Sequence, residues 1–439
     1  MTDAVNVREL ALGILVEVLE KQCYSHQVLR AVLQKHQYLS KQERAFLTRL
    51  TEGTIQRMME LDYILNQFSR VSVPKMKPLI RNLLRMSVYQ LKYMDAVPDS
   101  AVCNEAVKLA KRHGFNSLSG YVNGVLRNVG RNLNAITYPD DEAEPVRALS
   151  VRYSMPEWLI EQWNEDYGPV RTGEMLAASL TEAPITIRAN LSRISPKRLK
   201  ERLEKEGLAV EPVTVEGYPG LPYAFVLSGV DYLNGLSAFR EGLFYVQDIS
   251  SMLVAEYAAP KKGDFCIDVC GAPGGKGMHL AEKLGGTGHV EVRDLSDYKV
   301  GLIEENIRRH ALPNISAKQW DATVPDETML GCADIVIADL PCSGLGVLRK
   351  KADIKYRMSE KQQEELVALQ RRILDTVAAY VKPGGTLIYS TCTVHRAENE
   401  ENVAWFTGMH PEYRLIKQRQ LFPQQAAGDG FFLAKLVRE

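Results

Sequence analysis

The sequence predicts a multidomain chain: an all-α N-terminal domain, a small α+β middle module and a C-terminal α/β domain on a Rossmann-like sheet. Three observations carry this. Apolar residues in 1–135 recur at helical spacing. Residues 151–240 mix helix-like and strand-like stretches. From about 241 the pattern becomes strand, loop, helix, repeated, which implies a parallel, doubly wound sheet. A length of 439 residues suits about three domains. With 45% hydrophobic and 25% charged residues, disorder, collagen and coiled coil are excluded as the main class. No stretch approaches the ~18 uncharged apolar residues of a membrane helix, and charge precedes any apolar run at the N-terminus, so no signal peptide is expected. Seven cysteines are too few and too odd in number for a disulfide framework. They point to a reduced, cytoplasmic compartment.

In residues 1–135 the first helix is expected at Val7–Leu19, where Val7, Leu10, Ala11, Ile14, Leu15 and Val18 share a face. Similar patterns fill 25–36, 41–68, 76–94, 100–113 and 117–132, broken at Ser40, Pro74, Pro78, Pro98 and Gly114. This domain carries a net charge of +8 and the rest of the chain −8. That suits a polyanionic partner as well as it suits a solvated Lys/Arg face. Residues 136–150, rich in Pro and acidic side chains, read as a linker. The module at 151–240 is expected to hold helices at Pro156–Tyr167 and Ser195–Gly207, and strands at Ile185–Asn190, Val210–Val215 and Phe225–Leu227. In 241–439 the expected strands are Phe265–Val269, His289–Val292, Ile315–Trp320, Ile335–Ala338, Thr386–Ser390 and Phe431–Leu436, with a long helix at 359–381.

Ligands of such sheets bind at the carboxyl ends of strands. After the first strand comes Cys270-Gly271-Ala272-Pro273-Gly274-Gly275-Lys276-Gly277, a loop whose glycines admit a close backbone approach and whose following helix aims N–H groups back at it. Asp294 ends the second strand roughly 20 residues beyond the loop, the spacing of a ribose-binding carboxylate. Asp321 ends the third strand and Asp339 the fourth. The loop alone is an ordinary strand-to-helix turn; three carboxylates at successive strand ends make it a nucleoside pocket. The loop is neither a dinucleotide fingerprint nor a Walker A loop, so a nucleoside without pyrophosphate, S-adenosylmethionine, is the expected cofactor.

Cys342 follows the fourth strand in Asp339-Leu340-Pro341-Cys342-Ser343-Gly344, and Cys392 follows the fifth in Ser390-Thr391-Cys392-Thr393. If those strands are neighbours, both thiols face the cofactor crevice. The spacing is unlike a zinc site and no His accompanies the pair, so no metal is expected. Cys23, Cys103, Cys266 and Cys332 read as small inert hydrophobes. Methylation at carbon 5 of a pyrimidine needs a thiol: a thiolate adds to carbon 6, carbon 5 becomes nucleophilic, and a base then removes its proton as the thiolate leaves. Asp339, three residues before Cys342, suits a contact at N3 of cytosine.

Through Asp268-Val-Cys-Gly-Ala-Pro-Gly-Gly-Lys276, Asp339-Leu-Pro-Cys-Ser-Gly344 and Tyr389-Ser-Thr-Cys392, the body resembles the NOL/NOP/Sun family of RNA 5-methylcytosine methyltransferases. Gln247-Asp248 and Gly428-Asp-Gly-Phe-Phe432 are also typical of it. Residues 1–135 resemble a NusB-type RNA-binding domain through Glu52-Gly53-Thr54, Tyr89-Gln90, Asn104-Glu105-Ala106-Val107 and Val122-Asn123-Gly124-Val125-Leu126-Arg127. The combination resembles the Sun/Fmu branch, which acts on 16S rRNA, over nearly the whole length. The resemblance implies Cys392 as nucleophile and Cys342 as the group that assists adduct release. It implies that Cys270, Gly271, Ala272, Pro273, Gly274, Gly275, Lys276, Asp294 (ribose), Asp321 (adenine) and Asp339 bind S-adenosylmethionine, with Asp339 also contacting the base. The implied target is cytosine 967, in the family's usual name, presented by 16S rRNA or a small-subunit assembly intermediate and splayed out of its stem. Nothing demands more than a monomer, and no membrane is expected. The chain departs from the family's pattern at Gly271 and Gly277 (usually Ala and Thr), at Arg293 (usually small and apolar), at Ala352 (usually Pro), and in His395-Arg396-Ala397-Glu398-Asn399, which lacks the usual Pro-Glu. Rival readings are the same chemistry on tRNA or 23S rRNA, a catalytically inactive RNA-binding protein, and a nicotinamide-dependent enzyme. Cofactor binding separates the last two from the first.

Overall fold

Asn6 opens the first helix: its side chain accepts from the Arg8 and Glu9 amides, and Val7–Leu19 then buries Ala11, Leu12, Ile14, Leu15 and Val18. The structure, a computed structural model, describes residues 5–213, 220–423 and 428–439. The chain divides into two units: one runs up to Thr181 and includes Leu348–Arg357, the other comprises Glu182–Val347 and Met358–Glu439.

The first unit is helical. Its further helices are Ser25–Lys35, Lys41–Gln56, Met58–Phe68, Pro78–Tyr93, Asp99–Arg112, Ser119–Arg131, Pro145–Tyr153 and Glu157–Ser179. The single helix expected over 41–68 is two, divided at Arg57 (φ −108°, ψ 17°). One non-helical residue barely shifts the apolar phase, so no Gly or Pro marks the break. The 136–150 linker is partly helical, because Pro145 occupies the first turn of Pro145–Tyr153. The helix expected to end at Tyr167 is kinked at Gly168 (φ +76°), before Pro169, and continues to Ser179. Both helices belong to this unit, as does the segment Leu348–Arg357, which comes from far along the chain.

In the second unit the strands Ile185–Ala189 (β1), Ala209–Pro212 (β2), Ala224–Ser228 (β3) and Phe244–Val246 (β4) pair antiparallel in the order β2-β3-β1-β4. The helix Pro196–Lys205 follows β1. The end of the expected strand Val210–Val215 lies outside the described residues, and β4 was too short for its periodicity to register. The larger sheet holds Phe265–Asp268 (β5), His289–Asp294 (β6), Ile315–Gln319 (β7), Ala333–Asp339 (β8), Val381–Thr391 (β9), Tyr413–Leu421 (β10) and Phe431–Arg438 (β11), in the order β10-β11-β9-β8-β5-β6-β7. Strands β5 to β9 run parallel; β11 pairs antiparallel with β9, and β10 with β11. The all-parallel expectation is therefore corrected to a mixed sheet. Too few residues separate Leu421 from Phe431 for a crossover helix, so β10 and β11 pair antiparallel. β10 was not expected: Arg414, Lys417 and Arg419 interrupt its alternation, as charges on an edge strand commonly do. Among the described residues no helix is long and apolar enough to cross a membrane.

Candidate active site

β5 delivers the chain into the glycine loop, and Gly274 (φ +103°) turns it into the helix Gly275–Lys283. The loop is tied to β6: the Gly271 amide donates to the Arg293 carbonyl at 2.8 Å, and the Ala272 amide to Asp294 Oδ2 at 3.2 Å. A Cβ on Gly271 or on Gly277 would overlap a methyl of Val292, one on each side. The two departures from the family's loop thus belong together: Val292 fills the room that Ala and Thr side chains would take. Arg293, also a departure, is buried and paired with Asp326 at 3.0 Å, which accounts for a cation at a position usually small. Asp268 lies fully buried beneath the loop. Burial, followed by the Asp339 charge, pushes its carboxyl up to about 7.

The three strand-end carboxylates differ. Asp294 is buried and accepts from the Leu295 amide at 2.8 Å, with the Lys299 ammonium at 3.1 Å. Asp339 accepts from Lys276 Nζ and from Ser390 Oγ, both at 2.7 Å. Asp321 is exposed and turned onto its own loop, accepting from the Thr323 amide (2.9 Å) and hydroxyl (2.7 Å), which hold it below the ordinary carboxylate range. The structure joins Asp294 and Asp339 to the loop and leaves Asp321 at the rim.

β8 and β9 are parallel neighbours with Asp339 opposite Ser390, so both cysteine segments emerge side by side. Cys342 Sγ and Cys392 Sγ lie 3.3 Å apart. The Cys342 thiol is raised well above its ordinary value by its hydrogen bond with Cys392, then by burial and by the charges of Cys392 and Glu398. Burial works against the Lys276 ammonium, but Asp339, Asp268 and Cys392 around it hold it above the lysine range. Cys270, in the loop, is raised by burial and then by Asp294 and Asp268, which makes it a poor nucleophile. Of the cysteines read as inert, Cys103 and Cys266 are buried, Cys23 is half-buried, and Cys332 is exposed, contrary to expectation. The bend after Leu330 brings Cys332 to the surface before β8 begins.

Sequence reasoning missed Ser390, Gln370 and the side chain of Glu398, although Ser390 stands two residues before Cys392. Gln247 stands out in the sequence only as part of the Gln247-Asp248 motif. Gln247 is buried; its oxygen accepts from Arg188 Nε at 2.7 Å, while its Nε2 has no partner and lies 3.7 Å from where a Cβ on Gly275 would stand. An orphaned donor beside a glycine cradle, facing the start of a helix, fits the amino-acid end of S-adenosylmethionine, and Asp294 fits its ribose. Among the described residues no group of His, Cys, Asp and Glu could hold a metal ion.

Three family models match in chain order: "NusB family" over residues 5–131, "Methyltr_RsmF/B-like, ferredoxin-like domain" over 155–220 and "16S rRNA methyltransferase RsmB/F" over 255–437. The chain is 36% identical to a probable ribosomal RNA small subunit methyltransferase B of Bacillus subtilis, covering 99% of each chain. It is 33% identical to the like-named protein of Synechocystis, covering 99% of this chain and 100% of that one. A solved structure titled as that of PH0851 shares the fold, with a TM-score of 0.84 at 24% identity over 99% of each chain. The domains occur in the order of the three family models, two relatives above 30% identity match over nearly the whole length, and the chain belongs to the RsmB/F family of 16S rRNA methyltransferases.

Proposed function

We propose that the chain methylates carbon 5 of one cytosine of 16S rRNA, cytosine 967 in the family's usual name, through a covalent adduct on Cys392. The observation that carries this is the pair of thiols 3.3 Å apart, beside the Lys276–Asp339 ion pair. S-adenosylmethionine, the cofactor, supplies the methyl group when bound; the loop 270–276, Gln247 and Asp294 would hold it.

The Cys392 thiolate, favoured by the Lys276 ammonium, adds to carbon 6, and the carbon 5–carbon 6 π pair moves onto carbon 5. Addition needs help at N3 of the cytosine, and Asp339, fixed between Lys276 and Ser390, is the group placed to contact the base there. Once carbon 5 carries its methyl, the Cys342 thiolate takes its proton; the carbon 5–hydrogen pair re-forms the carbon 5–carbon 6 double bond, and the carbon 6–Sγ pair leaves with Cys392 as thiolate. Cys342 assists this release. Its two strongest links to Cys392, a hydrogen bond and a neighbouring charge, vanish when Cys392 is alkylated, so Cys342 becomes more acidic as the adduct forms. The target is 16S rRNA or a small-subunit particle, as the names of the relatives support. The helical unit, a NusB-family match, is the expected RNA-binding part.

The test is methyl transfer from labelled S-adenosylmethionine into unmodified bacterial RNA, followed by separation of 16S, 23S and tRNA and mapping of 5-methylcytosine. Label at a single 16S cytosine is expected; label in tRNA or 23S rRNA keeps the chemistry and overturns the substrate. Cys392→Ala is expected to lose methyl transfer by about 10³-fold or more, as removal of a covalent nucleophile does, with cofactor binding retained. Substantial residual turnover in that variant sinks the nucleophile assignment.

A further inference from the structure

Glu398 is fully buried on the short turn between β9 and the helix Glu400–Met409. Its Oε2 accepts from the Ser343 amide at 2.9 Å and from Gln370 Nε2 at 2.8 Å, and its Oε1 lies 3.1 Å from His395 Nδ1. Gln370 Nε2 also donates to the Pro341 carbonyl at 2.8 Å. The carboxylate therefore gathers the residues on both sides of Cys342. Its neighbour Asn399 does the same for Cys392, accepting from the Thr391 hydroxyl and donating to the Thr393 carbonyl at 3.1 Å. Ser343 Oγ and Thr393 Oγ1 close the circuit at 2.7 Å. Two consecutive buried residues thus fix two loops that join about fifty residues apart. A charged acceptor makes the stronger kind of hydrogen bond, and an unmet one costs most when buried.

We propose that Glu398 is the positioning residue that holds Cys342 against Cys392, and so sets the rate at which the methylated RNA is released from the protein. The proposal rests on the two-cysteine reading above. Glu398 itself touches neither substrate nor cofactor. It sits on the Cys342 side of the pair while Lys276 sits on the Cys392 side, so its charge also favours a proton on Cys342. Loss of the carboxylate frees Ser343 and His395 together. Adduct formation, which needs Cys392, then proceeds, while release, which needs Cys342 in place, slows.

The experiment compares the full chain, Glu398→Gln, Glu398→Ala and Cys342→Ala on unmethylated 16S RNA with labelled S-adenosylmethionine. It reads the protein retained on RNA in a denaturing gel, product turnover, cofactor binding and thermal unfolding. Glu398→Gln keeps the shape and one acceptor oxygen, and serves if Glu398→Ala does not fold. The expected result is that Glu398→Gln raises the retained fraction and lowers turnover about 10-fold, within the range that misplacing a catalytic group costs, with first-turnover methylation and cofactor binding unchanged. Cys342→Ala retains at least as much protein. Release at the parent rate by a folded Glu398→Gln overturns the proposal, and so does a parallel loss of cofactor binding, first-turnover methylation and release, which marks a merely structural role. If Cys342→Ala itself retains no RNA, the two-cysteine reading fails and the proposal falls with it; if Cys342→Ala retains RNA and Glu398→Gln does not, the proposal alone fails.

Discussion

The two methyl groups of Val292 occupy the space that side chains at 271 and 277 would need, and Val292 is itself fully buried. Restoring a side chain at 277 alone therefore overpacks the floor of the loop, and Gly277→Ala is expected to cost about 1–3 kcal/mol in unfolding and to weaken cofactor binding. Combined with Val292→Ala, the cost should fall short of the sum of the single changes by about 0.5–3 kcal/mol, the coupling expected of residues in contact. Urea melts of the four proteins check this, and additive costs would show that the loop, not Val292, absorbs the clash. At this scale the strand-end carboxylates and the cysteines were legible, because a parallel sheet fixes which residues meet the ligand from their place after each strand. Glu398, Gln370 and Ser390 were not, because their partners are set by hydrogen bonds across 28 to 55 residues, which no local pattern encodes.

The segment Leu348–Arg357 packs in the helical unit through buried Leu348, partly buried Ala352 and Tyr356, and two buried polar residues, Asp353 and Lys355. Asp353 accepts from the Ser25 amide and hydroxyl, and Tyr356 donates to the carbonyls of Gln56 and Ser154. Lys355, fully buried, donates to the Gln56 carbonyl at 2.9 Å, and burial, then Arg57, lowers its ammonium to about 7. An unfolded lysine keeps its proton to about 10.5. Below pH 7 both states are protonated and the whole cost of burying the charge is present. Between 7 and 10.5 the unfolded chain binds more protons, so stability rises with pH in that window. Lys355→Met removes the charge and leaves the Gln56 carbonyl to Tyr356. The variant is expected to be more stable than the parent at pH 6, with the difference shrinking toward pH 10, read as denaturant midpoints of the two proteins side by side. A constant difference over that range would mean that Lys355 stays charged in the fold. Long helices and hydrophobic strands were legible as elements because their periods are strong. The four-residue helix Ile354–Arg357, the three-residue β4 and the charged edge strand β10 were not, because too few apolar positions repeat for a period to emerge.

Because Leu348–Arg357 contributes to the core of the helical unit, cutting the chain at residue 135 would take the Gln56 carbonyl from Lys355 and Tyr356, and the helix Met58–Phe68 from the helix Pro145–Tyr153. The role of residues 1–135 is therefore better tested by charge than by deletion. Residues 1–135 carry +8 against −8 in the rest of the chain. Arg70, Lys75 and Lys77 are exposed within one connection between the helices Met58–Phe68 and Pro78–Tyr93. If this surface binds the rRNA backbone, each cation that neutralises a phosphate releases counterions, and log K falls with log salt by about 0.7–0.9 per contact. Changing all three to Gln is expected to weaken RNA binding at low salt, to reduce the salt slope by up to about 2–3, and to leave cofactor binding unchanged, since none lies in the unit that holds the glycine loop. Titrations of 16S RNA at several salt concentrations measure the slope directly. A slope equal to the parent's would assign these three charges to solvent and move the RNA contacts to other basic residues of the chain. A reduced slope with unchanged affinity at high salt would make them phosphate contacts that hold the RNA without reading its sequence.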